Sequence, residues 1–242
     1  MDFFAPVRIT GARVALEPLS MRHLEDLAVA GADELIWRWL PTAHHQPGSM
    51  RSFVESALAA HERRAAVPFA TIDLPSGKAV GSTRFHHIDT EHRRLEIGVT
   101  WIGSAHQRSH INTEAKLLQF WYAIDVLKCR RVELKADVEN AKSRAAILRL
   151  GAMEEGIFRK HMAEHLPAFG PKATGRTNVG DVNRLDPEHR VERRCIERCQ
   201  KGEEDHRRLG ALEHHNRKRH PRQWRDGPEQ FEYWKYVLLE SL

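Results

Sequence analysis

Apolar and polar residues alternate along six short stretches of the chain, and this period of two predicts β-strands. The predicted strands span residues 13–18, 69–73, 79–87, 94–101, 130–136 and 153–162. Residues 74–78, between the second and third strands, contain a proline and a glycine, which favours a hairpin turn.

Apolar residues recur at helical spacing in four further segments, which predicts four helices between the strands. Ser20 and Ser49 are suited to cap the first two, whose apolar faces hold Leu24, Leu27 and Ala28, and Phe53, Val54, Ala57 and Leu58. A third helix, capped by Asn112 or Thr113, carries Ala115, Leu118, Trp121, Tyr122 and Val126, and a fourth spans residues 141–150. Residues 36–41 form a turn or a short helix that ends at a proline. The order β-α-α-β-β-β-α-β-α-β predicts a mixed α/β sheet with helices on both faces.

The composition is that of an ordinary globular chain, with 41% hydrophobic and 29% charged residues among 242. No apolar run approaches the roughly 20 residues that span a membrane, and the first residues do not resemble a signal peptide. Three cysteines are an odd number in a long chain, which favours reduced thiols over a disulfide framework. We therefore expect a cytoplasmic protein with no membrane partner.

The net charge of +5 is concentrated late in the chain, where residues 172–225 hold fifteen Lys or Arg and nine Asp or Glu. We predict a domain over residues 1–169, a basic, poorly ordered or helical insert over 170–225, and a last strand of the domain within 226–242. Three interpretations of the insert stay open. It is a solvated appendage, an arm that contacts nucleic acid through the basic run 216–222, or a segment that is out of frame or recombined.

Two cysteines of the insert, Cys195 and Cys199, stand four residues apart on a predicted helix. The histidines near them in sequence are His189, His206, His214 and His215. Their spacing matches no standard zinc module, so we predict no bound metal, and a zinc site is the alternative.

The clearest chemical signal comes from two segments about thirty residues apart, 101–114 and 137–152. In the first, an apolar strand leads through a short polar turn into an amphipathic helix. A helix start has backbone N–H groups without intrahelical partners and a partial positive charge, so it can bind a pyrophosphate. The sequence thus predicts an anion site at residues 108–113.

These motifs resemble those of the GNAT superfamily of acyl-CoA-dependent N-acyltransferases, and within it the branch of the RimJ and RimL protein acetyltransferases. The family pattern Gln/Arg-x-x-Gly-x-Gly/Ala falls on Gln107, His110 and Asn112, where both glycines are replaced. The pattern of the branch, Arg-Ser/Thr-x-Ile/Val-Asn-Thr-Glu, is matched by residues 108–114. The resemblance covers residues 8–162 and implies a mixed, mostly antiparallel central sheet with helices on both faces.

A second family element, Asn-x-x-Ser before a helix that ends in glycine, is matched by Asn140, Ser143 and Gly151. The resemblance implies that acetyl-CoA is the acyl donor and that these two elements and the preceding strand hold it. The cofactor-binding residues it implies are Val99, Thr100, Trp101, Gln107, Arg108, Ser109, His110, Ile111, Asn112, Thr113, Asn140, Ser143 and Arg144. Capping of the helix alone is the alternative for Asn140 and Ser143.

The resemblance also implies an acceptor pocket beneath the loop between the first two helices. Trp37 and Trp39 are the candidate substrate-binding residues there. Trp101 is a further candidate, although packing in the core is the favoured interpretation of this side chain.

Glu96 is the candidate general base, because histone-acetylating members of the superfamily carry a glutamate at the same offset before the cofactor loop. Apolar neighbours are expected to raise the pKa of its carboxyl toward neutrality. The alternative is that Glu96 only pairs with a nearby arginine or positions the amine. Alternation predicts one strand face with Leu95, Ile97, Val99 and Trp101, and another with Glu96, Gly98 and Thr100.

The usual acid of the superfamily, a tyrosine in the last cofactor helix, is replaced here by Ile147. Ser143 is the polar group nearest in sequence, and we expect its hydroxyl to donate a hydrogen bond to the leaving thiolate or to a water bound there. A serine hydroxyl is a weak acid, so full proton transfer is not expected.

We predict transfer of an acetyl group from acetyl-CoA to a primary amine, by direct attack in a ternary complex. The acceptor is a protein N-terminus, as the resemblance to RimJ and RimL implies, or a small amine. The enzyme is expected to be a monomer or a homodimer. The alternative is a non-catalytic protein that binds acyl-CoA or nucleic acid on the same scaffold.

Overall fold

The computed structural model describes residues 2–159 and 232–239, and the strands in these ranges form one eight-stranded sheet. The strands are β1 (Ile9–Thr10), β2 (Val14–Pro18), β3 (Ala66–Asp73), β4 (Lys78–Asp89), β5 (Arg94–Ile102), β6 (Arg131–Asp137), β7 (Met153–Arg159) and β8 (Glu232–Leu239). Their order in the sheet is β1-β2-β3-β4-β5-β6-β8-β7. Neighbouring strands are antiparallel except β5 and β6, which run parallel. The sheet is therefore mixed and mostly antiparallel, as predicted.

The six strands predicted from alternation are present, with shifted ends. β3 and β4 extend beyond their predicted ranges and are joined by the expected hairpin, in which Gly77 has a φ of 69°. Glycine suits this left-handed turn because it has no Cβ. β7 ends at Arg159, and residues 160–162 of that prediction lie outside the described residues.

β8 comes from the far end of the chain and pairs with both β6 and β7. It lies within residues 226–242, where a last strand was predicted. The predicted insert at 170–225, with its cysteines, histidines and basic run, lies outside the described residues. The division of the chain into three parts therefore stays a prediction.

The helices are α1 (Leu24–Ala30), α2 (Ser49–Glu62), α3 (His110–Trp121) and α4 (Ala141–Arg149). A 3-10 helix at Glu34–Trp39 is the short helix predicted before Pro41, and another at Met21–His23, with Ser20 at its start, leads into α1. The predicted cap of α2 is wrong. Gly48, with a φ of 80°, occupies the cap position, and Ser49 is the first helical residue, whose hydroxyl donates to a preceding backbone carbonyl.

Three general findings limit the chemistry of the described residues. Within them, no helix is long and apolar enough to cross a membrane. No group of three or more His, Cys, Asp or Glu in the same ranges is placed to bind a metal. The Cys129 thiol is free, and burial raises its pKa to about 12, so it is a structural rather than a reactive group.

The helices cover both faces of the sheet, and each face has its own apolar core. On the side we call the α3 face, α3 and α4 pack against a large cluster that includes Leu16, Phe69, Phe85, Leu95 and Ile97. On the opposite side, the α2 face, α1, α2 and the 3-10 helix Glu34–Trp39 pack against a smaller cluster that includes Ala15, Ala70, Ile72 and Trp101. Adjacent residues of a strand thus serve different cores.

A buried carboxylate fastens α3 to β2. Glu114 Oε1 accepts hydrogen bonds from the backbone N–H groups of Arg13 (2.8 Å) and Val14 (3.1 Å). Gly11 leaves room for this contact, since a Cβ there would lie 2.5 Å from the same oxygen. The start of α3 is therefore held in a fixed position relative to the sheet.

Candidate active site

Two neighbouring strands separate in the middle of the sheet. β5 and β6 pair only over residues 94–96 and 131–133, although both strands continue beyond that point. Past it, the facing edges of β5 and β6 carry backbone N–H and C=O groups that do not pair with each other. Because the two strands are parallel, α3 and α4 begin at the same end of the sheet. The opening and the two helix starts therefore form one site.

The start of α3 has a serine cap rather than the predicted Asn112 or Thr113. Ser109 Oγ accepts a hydrogen bond from the Ile111 N–H (3.3 Å) and donates one to the carbonyl three residues earlier (2.6 Å). Arg108 before it has a φ of 59°, a left-handed conformation that strains a residue with a Cβ. The other N–H groups of the first turn have no intrahelical acceptors, so the predicted anion site keeps its basis.

Two predicted cofactor-binding side chains, Gln107 and Arg144, have partners within the protein. Gln107 Nε2 donates to the Ile102 carbonyl (3.1 Å) and fastens the loop to the end of β5. The Arg144 guanidinium donates to the Val138 carbonyl (3.2 Å) and to Glu154 Oε1 (3.3 Å). Both side chains therefore have a structural role.

Asn140 caps the start of α4, which is the role considered as the alternative to cofactor binding. Asn140 Oδ1 accepts a hydrogen bond from the Ser143 N–H (3.1 Å). Arg149 Nη2 donates to Thr113 Oγ1 (3.4 Å), which links α4 to the first turn of α3. Ile147 lies in the core of the α3 face, whereas Ser143 is only partly buried. Of these two α4 residues, only Ser143 can offer a hydroxyl to a bound ligand.

A β-bulge in β5 changes which residues face the two sides of the sheet. Thr83 of β4 stands opposite both Val99 and Thr100, and Val99 has a φ of 47°. One extra residue reverses the alternation beyond it, so Ile97 packs on the α3 face and Trp101 on the α2 face. The prediction that these residues share one face with Leu95 and Val99 is therefore wrong.

A buried lysine of α3 donates hydrogen bonds to the bulge. Lys116 is 5% exposed, and its Nζ donates to Thr100 Oγ1 (2.6 Å), Thr83 Oγ1 (3.0 Å) and Gln119 Oε1 (3.1 Å). Burial lowers the pKa of Lys116 to about 7. Three acceptors match the three donors of an ammonium group, so Lys116 is fully satisfied, while the amide nitrogen of Gln119 has no hydrogen-bond partner among the described residues.

Glu96 lies at the last paired position of β5 and is 5% exposed. Its Oε1 is 3.3 Å from His86 Nε2, and its Oε2 is 2.8 Å from Lys135 Nζ. Burial alone would raise the pKa of Glu96, but the hydrogen bonds and charges of His86 and Lys135 outweigh it and lower the pKa. The predicted raised pKa is wrong, because these partners come from the neighbouring strands. They are a histidine and a lysine, not the arginine considered above.

His86 is the candidate that sequence reasoning missed. Its imidazole lies over Gly98, where a Cβ would be 2.3 Å from His86 Nε2. The His86 side chain is 20% exposed, against 6% for that of Glu96. Gly98 is two residues beyond the last paired position of β5, so the imidazole lies beside the opening. Alternation along residues 79–87 could have placed His86 on the same face as Arg84. It could not have placed His86 opposite Glu96, because that depends on how β4 pairs with β5.

Four aromatic rings pack together on the α2 face. The ring centroid of Trp37 lies 5.3 Å from His44, 6.0 Å from Phe53 and 5.0 Å from Trp101. Trp37 is 2% exposed and Trp101 is 3% exposed. Trp37 is therefore a core residue and not the pocket-lining residue that was predicted, and Trp101 is core as favoured. Trp39 is partly buried and stays a candidate.

A comparison with protein families identifies this arrangement. A family model described as Acetyltransferase (GNAT) domain matches residues 13–153, which is more than half of the chain. The chain therefore belongs to the GNAT family and is an acyl-CoA-dependent acetyltransferase, as its motifs predicted. The matched range contains the opening and both helix starts.

The relatives agree with the expected RimJ/RimL-like branch. YdaF of Bacillus subtilis (strain 168), which has a provisional name as a ribosomal N-acetyltransferase, is 32% identical over 150 residues, 60% of this chain and 78% of YdaF. The crystal structure of a GCN5-related N-acetyltransferase from Brucella melitensis is 32% identical, with a TM-score of 0.61 over 65% of this chain and 72% of that one. RimJ from Mycobacterium smegmatis, in complex with CoA-disulfide, shares the fold, with 22% identity and a TM-score of 0.59 over 67% of this chain and 83% of RimJ.

Proposed function

We propose that the protein transfers an acetyl group from acetyl-CoA to a primary amine, which attacks directly in a ternary complex. The observation that carries this proposal is the separation of β5 from β6 beside the starts of α3 and α4. A free strand edge suits an extended ligand with amide groups, and a helix start suits a phosphate. Acetyl-CoA has an amide-containing arm and a diphosphate, and when bound it supplies the acetyl group as an activated thioester.

Backbone groups are the main cofactor contacts in this proposal. The N–H groups at the start of α3, in residues 109–113, are expected to bind the diphosphate, and Arg108 adds positive charge beside them. The edge of β5 near Val99 and Thr100 is expected to contact the arm. The proposed diphosphate site does not need the family's glycine at position 110, because the left-handed conformation in this loop falls on Arg108 and not on His110.

Glu96 and His86 are proposed to remove the proton of the amine together. Glu96 is too buried and too strongly paired to meet the amine itself, whereas His86 is more exposed. A carboxylate that binds one ring nitrogen orients the imidazole and leaves the other nitrogen, Nδ1, to accept a proton. Lys135 keeps Glu96 ionised, so that the carboxylate stabilises the imidazolium that forms.

Two donors are proposed for the charge that develops on the thioester. A backbone N–H of β5 between Gly98 and Trp101 is expected to bind the carbonyl oxygen, since this edge does not pair with β6. The Ser143 hydroxyl is expected to donate to the thiolate. Its place in the first turn of α4 supports this role, because α3 and α4 begin at the same end of the sheet.

The class of acceptor is proposed from the names of the relatives. The ribosomal N-acetyltransferase name of YdaF supports a protein N-terminus, and a small amine is the other acceptor class. The free thiol of Cys129 supports the cytoplasm as the compartment. A monomer or homodimer stays the predicted state, and the nucleic-acid interpretation of residues 216–222 falls outside the described residues.

Release of free thiol from acetyl-CoA tests the proposal. We expect release when N-terminal peptides and small amines are offered, above the rate without acceptor, together with a rise in Tm when CoA binds. The same peptides acetylated at their N-termini are the matched control and should give no release. A folded protein that binds CoA but releases no thiol with any acceptor would support the non-catalytic alternative.

A further inference from the structure

Arg84 projects from β4 to the α2 face beside the point where β5 and β6 separate. Its neighbours Thr83 and Phe85 contact the α3 side, so alternation turns Arg84 to the other face. The register pairs Arg84 with Gly98, two residues beyond the last position at which β5 pairs with β6. Paired Cα atoms of antiparallel strands are about 4.5–5.5 Å apart. The guanidinium therefore starts from a backbone position next to the proposed reaction site.

The Arg84 guanidinium has an aromatic neighbour and no anionic one. Its Cζ lies 5.5 Å from the ring centroid of Phe53. Its Nε is buried without a hydrogen-bond partner, and none of the ion pairs among the described residues includes Arg84. The carboxylate of Glu96 on the same face is already held by His86 and Lys135. Burial lowers the pKa of Arg84 to about 10, so the group stays charged at neutral pH.

Other arginines of the sheet have the partners that Arg84 lacks. Arg131 is held by Glu133 and Glu155, and Arg94 by Asp89. A buried charge without a counter-ion destabilises a fold, and perturbed charged groups of this kind concentrate at functional sites. A guanidinium is a planar fork that binds a carboxylate through two parallel hydrogen bonds. The carboxylate of a bound ligand would supply the partner that the Arg84 guanidinium lacks.

We propose that Arg84 recognises the acceptor by binding a carboxylate that the acceptor amine carries. This inference rests on the proposed acetyl transfer and adds the substrate class, an amine with a nearby carboxylate. That carboxylate has two sources, the α-carboxylate of a free amino acid and an acidic side chain near the N-terminus of a peptide. Arg84 orients the acceptor and takes no part in proton transfer.

Matched acceptors that differ only in this charge test the proposal. Free amino acids are compared with their amides, and peptides with Asp or Glu at the second or third position with the Asn or Gln versions, by thiol release at saturating acetyl-CoA. The wild type should prefer the carboxylate form by roughly 10- to 100-fold in kcat/KM, the value of one strong charge-assisted contact. Arg84→Met should bring this ratio close to one, mainly through KM, and Arg84→Lys should restore part of it.

A stability measurement separates this role from a structural one. Arg84→Met should keep or raise Tm, because it removes a buried charge without a partner. Arg51→Met is the matched control, since it removes an exposed arginine of α2 that pairs with Glu55, and it should keep the preference.

Three results would overturn the inference and leave acetyl transfer standing. They are equal kcat/KM values for the two acceptor forms in the wild type, a preference that survives Arg84→Met, and a clear fall in Tm for that variant. If none of these acceptors raises thiol release above the rate without acceptor, the proposed function itself is overturned.

Discussion

Two buried cations on opposite faces of one sheet have opposite surroundings. Lys116 on the α3 face donates hydrogen bonds to three neutral oxygens, whereas Arg84 on the α2 face has the ring of Phe53 beside it and a buried Nε without an acceptor. Burial lowers both pKa values, to about 7 for the lysine and about 10 for the arginine. Lys116 is the more deeply buried of the two, yet all its donors have acceptors, whereas the Arg84 Nε has none.

The contrast extends to the other polar groups of the two faces. On the α3 face, Glu114 accepts two backbone hydrogen bonds that hold α3 to β2. On the α2 face, the ion pair of Glu96 with His86 reaches the opening between β5 and β6. Buried polar groups are normally satisfied within the protein, but Gln119 Nε2 on the α3 face and Arg84 Nε on the α2 face both lack a partner. An unpaired charge costs more than an unpaired amide, so Arg84 is the group that indicates a place for a ligand. We interpret the α3 face as the structural face and the α2 face as the one that binds the acceptor amine, and we call them the scaffold side and the acceptor side.

His86→Ala should give the largest effect on the acceptor side. If the imidazole takes the proton of the amine, kcat falls by about 10²- to 10⁴-fold, while Tm and the affinity for CoA change little. Steady-state kinetics at saturating acetyl-CoA measures this. His92→Asn, a change at an exposed histidine between β4 and β5, is the control. A kcat for His86→Ala close to that of the wild type would exclude the role.

Glu114→Ala should give the largest effect on the scaffold side. It leaves the buried N–H of Val14 and the part-buried N–H of Arg13 without their acceptor, so the free energy of unfolding should fall by about 1–4 kcal/mol. Denaturant unfolding measures the change. Glu114→Gln keeps an accepting oxygen and should lose less. Equal losses for the two variants would show that the charge of Glu114, not its hydrogen bonds, stabilises the contact.

Gly98→Ala tests the position of the imidazole. The new Cβ would lie 2.3 Å from His86 Nε2, so the ring must move, and kcat should fall by roughly 10- to 100-fold. Because the effect acts through His86, the same change in a His86→Ala background should cost little more. Losses that add in full in the double variant would show that Gly98 acts by another route.

Lys116→Met should change the slope of stability against pH. Between about pH 7 and the ordinary lysine value of 10.5, the unfolded chain binds a proton that folded Lys116 does not. The free energy of unfolding of the wild type therefore rises with pH in this window, by at most about 1.4 kcal/mol per pH unit, and this group adds no slope below pH 7. The variant should lose that slope, and Lys78→Met, at an exposed lysine, should keep it. Equal slopes in the wild type and Lys116→Met would contradict the lowered pKa.

Much of the fold could be predicted from local patterns, because burial on one face imposes a period of two on strands and of 3.6 on helices. Such patterns do not determine the residue at which α3 starts. Ser109, Asn112 and Thr113 are all good capping residues within one turn, and the left-handed Arg108 decides between them. The choice depends on how the loop leaves β5, which the residue types do not specify.

The candidate site could be predicted as a location but not as a set of contacts. The motifs located the start of α4 correctly and the start of α3 to within about one turn. The bulge at Val99 depends on pairing with β4 and on Lys116, so regular alternation gave no sign of it. The partners of Glu96 come from two other strands, and a neighbourhood of apolar residues in sequence led to the wrong direction for its pKa.

A crystal structure of the protein with CoA tests the central claim most directly, which is that the opening between β5 and β6 and the start of α3 hold the acyl donor. We predict diphosphate oxygens about 3 Å from backbone nitrogens of residues 109–113, and the arm of CoA along residues 97–101 of β5. CoA bound elsewhere, or an opening filled by the side chains of the protein in that complex, would contradict the claim.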